Sequence, residues 1–254
     1  MNIRFTQRGF TLVELMVSIT IAVFLIAGLV TLVGAMKRTS TTQSALSRLQ
    51  DNERLAMSLI TDVIQSAGYF PNPVVNTSLT SLPAAGVFTQ AAQSVFGTGA
   101  GTAAATGDTI TVRYLTAGTA TPGSDGLINC GGSTNGTAAT FVNEFNVAVV
   151  NNISYLQCKL TVNGGPLQTI NLVSGVTNLQ VYYGVQTNPS AGTFSVDAYL
   201  DAPAVTAGSY WPNVISVKVI LYFQNPLFGQ PGQTSQTISF MSVIGVMNKS
   251  GVTT

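Results

Sequence analysis

The chain has 254 residues, of which 46% are hydrophobic and only 7% charged, with a net charge of +1 and no histidine. That length fits one membrane segment plus one soluble domain, and charge so far below the roughly 25% usual in soluble proteins makes the solvent-facing surface largely neutral and polar. Without a basic stripe to neutralise a row of phosphates, direct nucleic-acid binding is not expected; without imidazole, a His-based triad, a His general base and most zinc sites are excluded.

Residues 1–9, MNIRFTQRG, carry Arg4 and Arg8 and no acid, and run directly into FTLVELMVSITIAVFLIAGLVTLVGAM. From Leu15 to Met36 there is no charge, and at 1.5 Å of rise per residue that run covers about 33 Å, enough for a hydrocarbon core of about 30 Å. A secretory signal would be shorter and would end in a small-x-small cleavage site; here the apolar run continues into a second helical pattern. The arginines before the span favour a cytoplasmic N-terminus, an asymmetry that Lys37 and Arg38 beyond it reduce. Glu14 stands out, because a carboxylate a few residues into an apolar helix is expensive unless it meets a positive partner. The alternative is a position at headgroup depth, in water. Ala27, Thr31 and Ala35 recur four apart beside Gly28 and mark a face that can pack closely against another helix in a membrane.

After Arg38 the spacing changes. Leu46, Leu49, Ala56, Leu59, Ile60, Val63, Ile64 and Ala67 fall at steps of three or four, the stripe of an amphipathic helix, with Asp51, Glu53, Arg54 and Asp62 on other faces. Gly68, Pro71 and Pro73 end it. One helix from about Thr11 to Ala67 is thus expected, about 85 Å long, with a stripe in its second half for the following domain to cover.

From Tyr69 onward, turn-forming residues alternate with β-branched runs, and strands are expected near 108–115, 139–149, 153–162, 167–173, 177–186, 214–224 and 236–247. Ile110, Val112 and Tyr114 alternate with Thr109, Thr111 and Arg113, which predicts an antiparallel sheet with one face solvated. Asn163-Gly164-Gly165 signals a hairpin. The segments 74–107 and 187–213 read as long and irregular, either disordered or a place for surface variation and partner contacts.

Cys130 and Cys158 lie in the turn-rich half beyond the membrane segment. They suit either one disulfide in an oxidising compartment or two separate buried thiols. Asp197 and Asp201 are too few for the six to eight oxygens of a Ca²⁺ site and read as a solvated loop. Trp211, Tyr182, Tyr183, Tyr210 and Tyr222 at strand spacing read as core and not as a ligand platform. No Gly-x-Ser-x-Gly elbow occurs, and Gly-rich 97–101 lacks the Lys-Ser/Thr of a phosphate loop. No catalytic residue, metal or cofactor is expected.

The string Arg8-Gly9-Phe10-Thr11-Leu12-Val13-Glu14 resembles the type III signal of type IV pilins and pseudopilins: basic leader, Gly, Phe, then Glu at the fifth mature position. Within the remainder, LQDNERLAMSLITDVIQSAGY at 49–69, GDTITVRY at 107–114, the Cys130 and Cys158 pair, LVSGVTNLQVYYGV at 172–185 and WPNVISVKVILYF at 211–223 resemble the PilW family of minor pilins. The signal, the Gly-Val-x-x-Leu strand and the Trp-initiated strand are also similar to the J-type pseudopilin of type II secretion.

The resemblance implies an α+β, pilin-like fold: a long N-terminal helix packed on an antiparallel β-sheet head with long irregular loops. It implies a leader over 1–9, a transmembrane and filament-core helix over 10–36, an amphipathic continuation over 37–68 and a periplasmic head over 69–254. Prepilin peptidase would cut between Gly9 and Phe10, whose new amine is methylated, and Glu14 would serve subunit assembly by pairing with the terminal amine of a neighbour. Many major pilins have a proline in mid-helix; here Gly28 and Thr31 stand there, so a kink would rest on Gly28. The implied role is that of a minor pilin in the inner membrane and then the pilus. It would help to initiate or prime assembly near the tip and support twitching motility and adhesion. The implied partners are other minor pilins, the major pilin, a tip adhesin and the inner-membrane assembly platform. The alternative is a J-type pseudopilin.

Overall fold

The computed structural model describes residues 9, 11–99, 107–120, 124–188 and 195–249. The chain falls into two units, residues 1–48 and 49–254, and one helix, α1 (Leu12–Gln65), has residues in both.

In the first unit, α1 exposes Leu15, Ile19, Phe24, Ile26, Leu29 and Val33 around its whole circumference. A helix apolar on every side belongs in the core of a large protein or across a membrane, and this one is long and apolar enough to cross a membrane. Its hydroxyls turn back onto the helix: Ser18 Oγ donates to the Glu14 carbonyl at 2.7 Å, Thr20 Oγ1 to Met16 at 2.8 Å and Thr31 Oγ1 to Gly28 at 2.7 Å. Satisfied in this way, they present no bare polar group to hydrocarbon. The chain stays α-helical through Gly28, so the glycine leaves the helix unbroken.

In the second unit, most of the stripe read from the sequence is buried, with Leu59 only half-buried. Ala56, Ile60, Val63, Ile64 and Ala67 are buried, and Leu49 packs against the same core from its edge. The helix ends at Gly68, whose φ of +76° is the left-handed conformation that lets a carbonyl ladder stop without a Cβ clash. The Gly68 N–H then passes to the Arg113 carbonyl at 2.9 Å.

Two antiparallel sheets follow. The first runs in chain order: β1 (Val95–Thr98), β2 (Thr109–Thr116), β3 (Ala139–Val150), β4 (Ile153–Val162), β5 (Gln168–Ser174). The second comprises β6 (Val176–Val185), β7 (Ala198–Leu200), β8 (Val214–Gln224) and β9 (Thr237–Gly245), in the order β7-β6-β8-β9. Phe141, Phe145 and Leu156 from the first sheet, Leu179, Val217 and Leu221 from the second, and Ile60 and Ile64 from α1 lie in one core. Asn151 and Asn152, both at positive φ, close β3 onto β4 as a two-residue hairpin whose twist matches its strands. Asn163 and Gly164, also at positive φ, close β4 onto β5, with the Gly165 N–H on the Val162 carbonyl at 2.9 Å.

All seven expected strands are present. Two short ones, β1 and β7, come from inside segments read as irregular, as do the helices α2 (Ser78–Ser81) and α3 (Ala202–Ala207). The expectation of a sheet solvated on one face fails at β2, where Thr111 and Arg113 are as buried as Ile110 and Val112. The segment from Leu82 to Gln93 folds over that face and is tied to it by Arg113.

Candidate assembly site

Thr11 precedes α1 and accepts the Glu14 N–H on its Oγ1 at 3.3 Å. A Thr followed three residues later by Glu is the pattern of a helix N-terminus, and it sets Glu14 in the first turn. There the aligned peptide dipoles favour an anion. Gly9 and Glu14 are both exposed; Phe10, Arg4 and Arg8 lie outside the described residues. Ala27, Gly28, Thr31 and Ala35 are exposed too.

Cys130 and Cys158 are joined in a disulfide and fully buried. The bridge fastens the segment leading into β3 to the middle of β4, and the Cys130 N–H donates to Asn143 Oδ1 at 2.9 Å. Closing a loop of this size contributes roughly 3 kcal/mol in the chain-entropy account.

Arg113 is 3% exposed, and among the described residues no carboxylate lies against its guanidinium. Carbonyls take its place. Nε donates to Gln93 at 2.6 Å, Nη1 to Pro83 at 2.6 Å, and Nη2 to Leu82 at 3.0 Å and to Gln90 at 3.5 Å. The Phe88 ring lies over the guanidinium carbon at 4.4 Å, a cation–π contact that partly replaces lost hydration. Burial pushes Arg113 down from its ordinary value to about 10, so it keeps its charge at neutral pH. Beside this anchor a groove of about 610 Å³ crosses the outer face of the first sheet, between Val87 and Leu167, over the Lys159–Glu144 ion pair (2.8 Å).

Asp108 ties the two sheets together. Its N–H donates to the Leu179 carbonyl at 2.8 Å and its Oδ2 accepts the Val181 N–H at 2.9 Å, both on β6. Neither Asp108 nor Arg113 stands out in the sequence as a site. The only signal is two charged residues in a strand of a chain with very few, and nothing local shows that backbone from elsewhere will meet them.

Trp211 and Tyr183 are buried in the core, with ring centroids 4.8 Å apart, and Phe96 lies 5.1 Å from Trp211 on another side. Gly97 makes that packing possible, since a Cβ there would sit 1.7 Å from the Tyr183 hydroxyl oxygen. Tyr210 packs at the core's edge. Tyr182 and Tyr222 belong to the outer face of the second sheet, where Lys218 Nζ lies 4.8 Å over the Tyr182 ring and the Tyr222 hydroxyl donates to Gln180 at 2.9 Å. Asp197 accepts from the Thr187 N–H at 2.9 Å, and Asp201 caps α3 through the Ala204 N–H at 3.0 Å. Both carboxylates thus fix local backbone.

Two family models match. Residues 4–30 match the prokaryotic N-terminal methylation motif, and residues 141–243 match the type IV pilus-assembly protein W family, PilW. The chain is PilW-like. No match occurs among curated proteins or among solved structures. The PilW-like stretch opens in β3 and closes in β9, so it holds Cys158, Tyr183 and Trp211. Cys130, Asp108 and Arg113 precede it. The methylation motif takes in Gly9, Phe10 and Glu14 and ends within the apolar part of α1. Pilin-family domains are structural, and the pilus-assembly family that residues 141–243 match implies contact with other pilus components.

Proposed function

We propose that this PilW-like chain is a minor type IV pilin that acts by assembly and not by catalysis. It is made as an inner-membrane precursor with residues 1–9 cytoplasmic, and prepilin peptidase cuts after Gly9. The helix over 10–36 holds the protein in the membrane, α1 continues as an amphipathic helix over 37–68, and the domain over 69–254 folds in the periplasm.

The observation that carries this reading is a methylation motif that runs without interruption into a helix apolar on every face. Such a helix is at home in lipid and equally in a bundle of its own kind, so one segment can serve as anchor and then as filament core. Glu14 gives the bundle its register. When the helix leaves the membrane for the filament, its carboxylate pairs with the methylated amine of Phe10 on a neighbouring subunit.

In this account the protein joins other minor pilins, the major pilin and a tip adhesin at the assembly platform. It helps to initiate the pilus near its tip and so supports twitching motility and adhesion. Deleting the gene should abolish surface pili, with protein export unaffected and pili restored by the intact gene. Normal pili together with lost export would overturn the pilus reading in favour of a J-type pseudopilin.

A further inference from the structure

The groove beside Arg113 lies wholly within the second unit. Its volume of about 610 Å³ falls in the usual range for small-molecule sites, roughly 300–1,000 Å³. Val87 in the segment from Leu82 to Gln93, Val142 on β3 and Leu167 just before β5 give it apolar walls.

The floor of the groove is charged. Glu144 on β3 and Lys159 on β4 are direct cross-strand partners, and Lys159 Nζ donates to Glu144 Oε1 at 2.8 Å. Among the described residues neither group has another partner, so two ammonium protons and Glu144 Oε2 remain for solvent or a ligand. Lys159 is 34% and Glu144 31% exposed along the side chain. A pair this open to water adds little to stability, which is a weak reason to set two charges side by side in a chain only 7% charged. Arg113, also on the wall, is already committed to the carbonyls of Leu82, Pro83, Gln90 and Gln93.

The pair decides what the groove can hold. A purely apolar ligand would shut water away from both charges and leave their free atoms unmet, which is unfavourable. A simple anion meets Lys159 but is repelled by Glu144, and a simple cation meets Glu144 but is repelled by Lys159. A ligand with both charges side by side satisfies the pair: its ammonium donates to Glu144 Oε2, and its carboxylate accepts from Lys159 Nζ. In a free α-amino acid the two groups share one carbon and lie about 3 Å apart, which matches the 2.8 Å spacing of the pair. In a peptide they stand at opposite ends of the chain.

We propose that this groove binds a free α-amino acid with a large apolar side chain. Its charged groups lie over the Lys159–Glu144 pair and its side chain between Val87, Val142 and Leu167. The site stands whether or not the chain enters a filament, and its failure would leave the pilus reading untouched.

The test is isothermal titration calorimetry of the full chain in lipid nanodiscs, which keep detergent out of the groove, with L-phenylalanine as the probe. Saturable binding is expected at concentrations up to about 10 mM. N-acetyl-L-phenylalanine, which lacks the ammonium, and L-phenylalanine amide, which lacks the carboxylate, should each bind at least about tenfold more weakly. Glu144→Gln should weaken binding of L-phenylalanine by a similar factor, whereas Asp51→Asn, at an exposed carboxylate on α1, should leave it unchanged. The three compounds are compared on the wild-type chain, so their order decides the matter even where Glu144→Gln disturbs the fold. No saturable binding, equal affinity for the three compounds, or full affinity in a folded Glu144→Gln chain overturns the proposal.

Discussion

Replacing Glu14 by alanine is expected to leave the precursor inserted and cleaved but to cut its recovery with purified filaments at least about tenfold. Insertion depends on the apolar run from Leu15 to Met36, which the substitution does not touch. In the proposed filament, assembly depends on charge. In a bundle of helices such as this one the dielectric is low, and an amine without its carboxylate is left buried and unpaired, a loss of roughly 3–5 kcal/mol for a pair of this kind. Even a third of that corresponds to about tenfold in an equilibrium constant. Glu14→Gln separates charge from shape: it keeps the length and hydrogen-bonding capacity of the side chain and should fail like alanine. Quantitative blotting of sheared filaments reads the outcome. Recovery at the wild-type level for the alanine variant would remove the charge-pairing account.

Arg113→Ala is the substitution expected to cost the second unit most. It strips the donors from the Gln93 and Pro83 carbonyls, each left in a buried setting where an unmet acceptor costs about 1–3 kcal/mol, and it removes the stem that fills the space under Phe88. A total of about 3 kcal/mol corresponds to a fall of about 6–12 °C in melting temperature for a domain of this size. Proteolysis should start between Leu82 and Gln93, the segment that Arg113 fastens. Arg113→Lys should recover only part of the loss, because an ammonium cannot reach carbonyls spread around a planar fork. An unchanged melting temperature for the alanine variant would show that the segment holds without its anchor.

The same region has a defined pH response. Arg113 lies below its ordinary value in the fold yet only as far as about 10, so it stays protonated from pH 6 to 9 and its contribution there is constant. With no histidine in the chain, the melting temperature should be flat across that window. Burial pushes Tyr114 and Tyr183 up from their ordinary value near 10. Their hydroxyls donate to the Ile128 and Thr109 carbonyls, and ionisation would remove those protons. An acid held neutral by the fold contributes stability that is whole below its unfolded value and is lost as pH rises toward its folded one. The melting temperature should therefore fall above about pH 10. Arg113 has the opposite sign there and offsets one tyrosine at most.

Much of this architecture is legible in the sequence because its signals are local. The stripe from Ala56 to Ala67 follows the helical period, Gly68 stops it, and Asn163-Gly164 carries its own turn chemistry. The long strands announce themselves through β-branched runs. What escapes the sequence is whatever a distant segment decides. β1 and β7 are too short for a period and exist because β2 and β6 offer them an edge. The alternation of β2 gave Arg113 to solvent, and only the return of Leu82 to Gln93 over that face makes it a buried anchor. The division of the strands into two sheets is likewise invisible in any one of them, since it depends on Gly175 turning β5 into β6 and on Asp108 reaching from one sheet to the other. The N-terminal site is the reverse case. Gly9, Phe10 and Glu14 are recognisable as a contiguous string, whereas the chemistry proposed for them needs a peptidase and a second subunit.

The most direct test of the central claim, that the N-terminal string is a processing and assembly signal, is the intact mass of the protein extracted from membranes of a strain with active prepilin peptidase. The account predicts a chain that begins at Phe10, lacks residues 1–9 and carries one added methyl group, with two hydrogens fewer than the reduced chain for the Cys130–Cys158 bridge. A mass that corresponds to an unmodified chain starting at Met1 would contradict it.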